Sequence, residues 1–213
     1  MIKNVITIND HGFINGGSAK VAIDSAIGLA DAGYQVTFFC ACGPADPSLQ
    51  QAGVDVVCLD QPDILSDPDR KRAMVRGLWN NQAANQLAGL LQRFKPADSI
   101  IHCHGLIKAL TASIEPVILA SGIPHVYTLH EYFFACPNGG FYDFQRQEIC
   151  QRKALSASCL VTHCDARSYS HKVWRVARQL VMKHRGRLPA GLKNIITISR
   201  LQEQILSPYL SDS

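Results

Sequence analysis

Residues 5–40, VITINDHGFINGGSAKVAIDSAIGLADAGYQVTFFC, decide the fold. Val5–Ile8 is a short β-branched run that reads as a strand, and the turn-rich loop Asn9–Gly17 follows it. From about Ser18 to Ala32 the apolar residues Val21, Ala22, Ala26, Leu29 and Ala30 share one helical face, and Gly33 stands where a glycine ends a helix. Gln35–Cys40 is then a second strand. Parallel neighbours need long crossovers, so a strand, a helix and a strand in that order belong to a parallel sheet covered on both faces.

The same rhythm continues outward. Val54–Leu59 reads as a third strand. Asp67-Pro68 opens one long helix, with Met74, Val75, Leu78, Leu87, Leu90, Leu91 and Phe94 on its buried stripe. Ser99–Cys103 is a fourth strand, Leu106–Ser121 a helix and His125–Leu129 a fifth strand. An irregular stretch with several Cys and Gly follows from His130 to about Ser158, then a helix over about Arg167–Lys183 and a last strand at Asn194–Ile198. Ser199 and Gln202 have the spacing of a capping box that starts a terminal helix. The sequence therefore predicts one doubly wound, Rossmann-like α/β domain over residues 1–213, with an irregular Cys-containing insertion at about 130–165.

Composition agrees. Of 213 residues, 47% are hydrophobic and 18% charged, which excludes a disordered, collagenous or coiled-coil chain. No run of ~18 apolar residues predicts a transmembrane helix. The N-terminal apolar run is too short for a signal peptide, so a cytoplasmic chain with mostly reduced thiols is expected. Cys40, Cys42, Cys58 and Cys103, in or beside strands, read as core thiols.

Ligands of an open α/β sheet bind outside the carboxyl ends of its strands. Those ends carry Gly16, Gly17 and Ser18 after the first strand, His104 after the fourth, and His130 and Glu131 after the fifth. Glycines before a helix let free N–H groups and the helix's positive end face an anion, or else serve a loop needing positive φ. The spacing is not a dinucleotide fingerprint, and no acid ends the second strand, which disfavours an NAD enzyme. His104 and His130 can donate or accept near neutral pH. Glu131 either orients His130 or a sugar hydroxyl, or caps the next turn. His102 is expected to point to the other face of its strand as a packing residue.

Cys136, Cys150, Cys159 and Cys164 are separated by 13, 8 and 4 residues. A structural zinc, reduced core thiols and a disulfide are all compatible with that set. The charge is also uneven: Arg146–Arg187 carries +8, and the rest of the chain −4. Within the segment, Tyr169, Val173, Val176, Ala177, Leu180 and Val181 share one helical face. That pattern fits either a helix spanning about 167–187 that docks on anionic lipid or phosphates, or an apolar face in the core with its Arg in water. No basic–aromatic stacking platform accompanies the charge, so nucleic acid is not an expected partner.

Taken together, these residues resemble family 4 retaining glycosyltransferases. Gly16-Gly17-Ser18-Ala19-Lys20-Val21-Ala22 and Leu29-Ala30-Asp31-Ala32-Gly33-Tyr34-Gln35-Val36-Thr37 resemble that family's first strand-loop-helix-strand unit. His102-Cys103-His104-Gly105 is similar to its H-x-H segment. Tyr127-Thr128-Leu129-His130-Glu131-Tyr132, followed by Cys136-Pro137-Asn138-Gly139-Gly140, is similar to its T-x-H-D segment in a subgroup that continues C-P-N-G and carries further cysteines. Ile196-Thr197-Ile198-Ser199 resembles the last strand and helix cap of its N-terminal domain.

The resemblance implies the acceptor-side half of a GT-B architecture, a nucleotide-sugar donor of UDP or GDP type, a sugar or lipid-linked acceptor, and no catalytic metal. It implies that Gly16, Gly17 and Ser18 face the donor diphosphate, that His130 contacts the reacting centre, and that His104, Glu131 and Asn138 line the acceptor side. Ala19 stands where the family often has Glu, and Glu131 where Asp is usual. The chain stops at Ser213, where a complete enzyme would enter its C-terminal nucleotide-sugar domain, so the isolated chain is expected to be inactive. The implied role is surface polysaccharide or glycolipid synthesis on the inner face of the plasma membrane. Two rival readings are a non-catalytic carbohydrate- or lipid-binding module and a metal-dependent hydrolase using His104, His130 and the Cys set.

Overall fold

The computed structural model of the chain describes residues 1–210; residues 211–213 of the expected domain lie outside them. Six parallel strands form the main sheet in the order β3-β2-β1-β4-β5-β8. They are β1 (Asn4–His11), β2 (Gln35–Cys42), β3 (Asp55–Cys58), β4 (Ser99–Cys103), β5 (His125–Leu129) and β8 (Ile195–Thr197). The order reverses between β1 and β4, with Ile8 opposite Cys103 and Cys103 opposite Tyr127. Loops leaving β1, β4 and β5 are therefore neighbours at the switch point. The doubly wound expectation holds, and β1 and β2 run longer than their apolar cores suggest.

Both faces of the sheet are covered. Val5, Val36 and Phe38 pack against Ala22, Ile23 and Ala26 of α1 (Gly17–Asp31) and Leu49 of the short α2 (Pro47–Gln51). Ile6, Ile8, Ile101 and Tyr127 belong to the larger core on the other side, with Leu87 and Leu91 of α4 (Asn81–Leu91) and Ile118 of α5 (Glu115–Ser121). Cys40, Cys42 and Cys103 are buried as expected, Cys58 is half-buried, and all eight cysteines are free thiols.

The single long helix expected over 67–94 is two helices, α3 (Arg70–Leu78) and α4. Trp79 is extended and Asn80 restarts the helix: its side-chain oxygen accepts from Ala83 N–H, while its amide donates to Gln61 Oε1 at 2.7 Å and to the Ala109 carbonyl at 2.8 Å. Met74 and Val75, assigned to a buried stripe, are exposed. The inward face of α3 is Ala73 and Gly77, whose small size admits Trp174 and Ile64. The start also moves. Asp69 caps α3, and Asp67 instead pairs with Arg72 and Arg76.

Residues 106–111, expected as helix, form a loop closed by a 3-10 turn at Ala112–Ile114. Asp10 competes for the backbone, accepting N–H groups of Lys108, Ala109 and Leu110 at 2.8–2.9 Å. The insertion contains a two-stranded ribbon, β6 (Tyr142–Asp143) and β7 (Glu148–Ile149), and the short α6 (Ala157–Val161). α7 (Tyr169–His184) follows, then β8 and α8 (Arg200–Leu210). Ser199 Oγ accepts from Gln202 N–H while Gln202 Oε1 accepts from Ile198 N–H, which is the expected capping box displaced by one residue on its return arm.

The arrangement of α7 with its apolar face in the core does not form. Tyr169, Val173 and Leu180 face solvent, while Lys172, Gln179 and Met182 are buried. Buried acceptors select the polar stripe: Asp165 pairs with Arg175 at 3.0 Å, and the Ala135 carbonyl receives Gln179. Hydropathy alone points the helix the wrong way.

Candidate active site

β1, β4 and β5 deliver their terminal side chains into one crevice. Gly105, just past β4, has no room for a Cβ, which would lie 2.8 Å from Asn9 Oδ1 and 3.7 Å from Ser18 Oγ. This close approach brings the loop after β4 against both the end of β1 and the first turn of α1. Gly16 caps α1 with no side-chain hydrogen bond, and Gly16 and Gly17 are exposed, so the helix's positive end is open to solvent.

The expected pair His104 and His130 is in contact: His104 Nδ1 lies 3.2 Å from His130 Nε2, with rings stacked at 23°. Expected to face away, His102 instead joins them. Positions two apart on a strand share a face, and its ring centroid is 4.0 Å from that of His104 while Nε2 meets Thr128 Oγ1 at 2.8 Å. Burial, with His102 and His130 adding to it, lowers His104 to about 3, and burial lowers His130 as well. Both imidazoles are neutral near pH 7. His104 Nε2 is buried with no protein partner, leaving one ring nitrogen for a ligand.

Glu131 is half-buried beside this pair. Desolvation and then Asp10 raise its carboxyl to about 7, opposed by Lys108 and Arg178. A carboxyl poised there can hold or take a proton at neutral pH. Arg178 of α7 also reaches this site. It lies over the Phe133 ring at 5.0 Å and the Trp174 ring at 5.2 Å, and burial lowers it to about 10. Asp10, Lys108 and Arg178 are thus additions to the site; only the basic periodicity of α7 hinted at the last.

Adjacent to these residues is a groove of about 400 Å³. Its wall carries Arg70, Lys108, Arg175 and Arg178 with Phe133 and Trp174 between them. Asn138 is not on that surface: its amide is buried and donates to the Cys164 carbonyl at 2.7 Å and Cys164 Sγ at 3.2 Å. The four cysteines for which a structural zinc is one of three compatible readings do not all come together. Cys150 lies beside Arg152, whereas Cys159 and Cys164 surround Lys172, and among the described residues no three His, Cys, Asp or Glu side chains are arranged as metal ligands. No helix among the described residues is long and apolar enough to cross a membrane.

The six parallel strands with helices on both faces, and the cluster of His102, His104, His130 and Glu131 at the strand ends, define a doubly wound, Rossmann-like α/β domain. The sequence model of the glycosyl transferase 4-like domain matches residues 16–184, and the chain belongs to that family. No curated protein matches the sequence. One similar solved structure is the crystal structure of LpCGTa in complex with UDP, at 14% identity and a TM-score of 0.46. The match covers 93% of this chain and 46% of that one, so the chain spans about half of that protein's length.

Proposed function

We propose that this chain is the acceptor-side half of a GT-B glycosyltransferase that moves a hexose, with retention, from a UDP- or GDP-sugar to a sugar or lipid-linked acceptor on the cytoplasmic face of a membrane. The observation that carries the reading is the cluster of neutral His104, neutral His130 and near-neutral Glu131 at adjacent strand ends. The donor's C1–O bond to the diphosphate breaks and a C1–O bond to the acceptor hydroxyl forms. His130 donates a hydrogen bond to the transferring sugar. The acceptor hydroxyl proton passes to Glu131, and the open α1 N-terminus at Gly16, Gly17 and Ser18 faces the departing diphosphate, as oriented dipoles should where negative charge develops. A C-terminal nucleotide-sugar domain closes the cleft from the other side.

The groove supports an acceptor with both an anionic and an apolar part. Its arginines suit phosphate, and Phe133 and Trp174 suit a lipid or sugar face. A donor screen with UDP- and GDP-sugars on the enzyme carrying this domain tests the proposal. Expected is transfer from one donor, with His130→Ala lowering turnover at least about tenfold while the fold stays intact. Unchanged turnover removes His130 from the reaction; saccharide binding without transfer from any donor establishes the binding-module reading instead.

A further inference from the structure

Lys172 is 1% exposed, and among the described residues both hydrogen-bond partners of its Nζ are sulfur: Cys164 Sγ at 2.9 Å and Cys159 Sγ at 3.6 Å. The nearby carboxylate, Asp165, is taken by Arg175. Cys136 is close enough to act electrostatically on both Lys172 and Cys164. Burial penalises the Lys172 ammonium, and only the hydrogen bond to Cys164 and the charge of the neighbouring sulfurs hold it above its usual value; with those thiols neutral, sulfur is a weak acceptor and no anion offsets the lost hydration. Burial also raises the Cys164 thiol, against the pull of Lys172, which works against a thiolate counter-ion. The cost disappears if the nitrogen is bonded into a neutral group. Asn138 Nδ2, donating to Cys164 Sγ at 3.2 Å, holds that sulfur in place, and 2.9 Å is close to the span of a single bridging oxygen.

We propose that Cys164 and Lys172 form a reversible covalent N–O–S cross-link, with dioxygen as the oxidant. Lys172 first releases its ammonium proton to solvent. The thiol then loses its S–H hydrogen and the amine one N–H hydrogen, and new S–O and O–N bonds form. Sulfur and nitrogen each give up two electrons, so dioxygen is reduced by four: one oxygen becomes the bridge and the other leaves as water. Two equivalents of a dithiol return the electrons and regenerate thiol, amine and water. Dioxygen is small and apolar, and Cys164 is 6% exposed, so access needs little opening. The bridge ties the loop after α6 to the first turns of α7, whose Arg175 and Arg178 form the groove wall.

Intact-mass measurement and peptide mapping test this on the purified full chain, prepared without chelator and held in air-saturated buffer. The expected product is heavier by one oxygen less two hydrogens, joins the Cys164 peptide to the Lys172 peptide, and reverts in dithiothreitol. It persists in Cys159→Ser and is absent from Cys164→Ser and Lys172→Met. Mapping of the unsubstituted chain decides the matter even if a variant fails to fold. An alkylatable Cys164 with unmodified Lys172 after air exposure overturns the proposal. So does a Cys159–Cys164 disulfide in its place, which loses two hydrogens and gains no oxygen, and so does zinc bound stoichiometrically by these thiols.

Discussion

Burial sets the protonation of the side chains at the strand ends, and it acts in opposite directions on acid and base. Glu131 is raised to about 7 from a usual value of 4.5, so it holds its proton more tightly folded than unfolded. Its contribution to stability is complete below about 4.5 and is lost as the pH rises through about 7. His104 is lowered from 6.5 to about 3, so its contribution is present above 6.5 and is lost as the pH falls below that value. Glu131→Gln removes only the first effect. Its melting temperature should exceed that of the unsubstituted protein at pH 8 by roughly 2 °C or more, with a smaller difference at pH 5, measured by calorimetry at both values. In the transfer assay the same variant should lose the rise in rate through pH 7 that an ionising base produces. A profile that keeps its shape in Glu131→Gln places the base elsewhere.

At the scale of elements, polar competition decides where helices begin and which way they face. The stretch from Asp67 to Phe94 has an apolar period that runs through Asn80 without a visible break. Asn80 interrupts it because its side chain caps α4 and simultaneously satisfies Gln61 and the Ala109 carbonyl, a contact 29 residues away in sequence. Asn80→Ala should cost about 2 kcal/mol in urea unfolding, from the lost cap and the stranded Gln61 and Ala109 acceptors; a loss below about 0.5 kcal/mol would mean that α3 and α4 can fuse. The same competition turns α7 over. Its hydrophobic face reads as the buried one, yet Asp165 and the Ala135 carbonyl recruit Arg175 and Gln179 inward. Such acceptors come from outside the helix, so its own periodicity carries no sign of them.

For the whole molecule, the overturned helix leaves an apolar stripe on a basic segment. Val173 is 53% and Leu180 44% exposed, with Lys183 and Arg187 exposed nearby. If that face rests on an anionic bilayer, the chain should sediment with vesicles containing phosphatidylglycerol at low salt. Val173→Glu with Leu180→Glu should weaken the binding at least roughly tenfold without unfolding the chain, and equal binding by the variant would exclude this face. The succession of the six main strands, their parallel crossovers and the positions of His104, His130 and Glu131 at strand ends were determined by the sequence alone, because period and punctuation are local properties. The break at Asn80, the inward turn of Arg178 and the burial of Asn138 were decided only by the tertiary structure. Each depends on a buried polar group finding a partner far away in the chain, and desolvation, which makes that partner obligatory, exists only once the chain has folded.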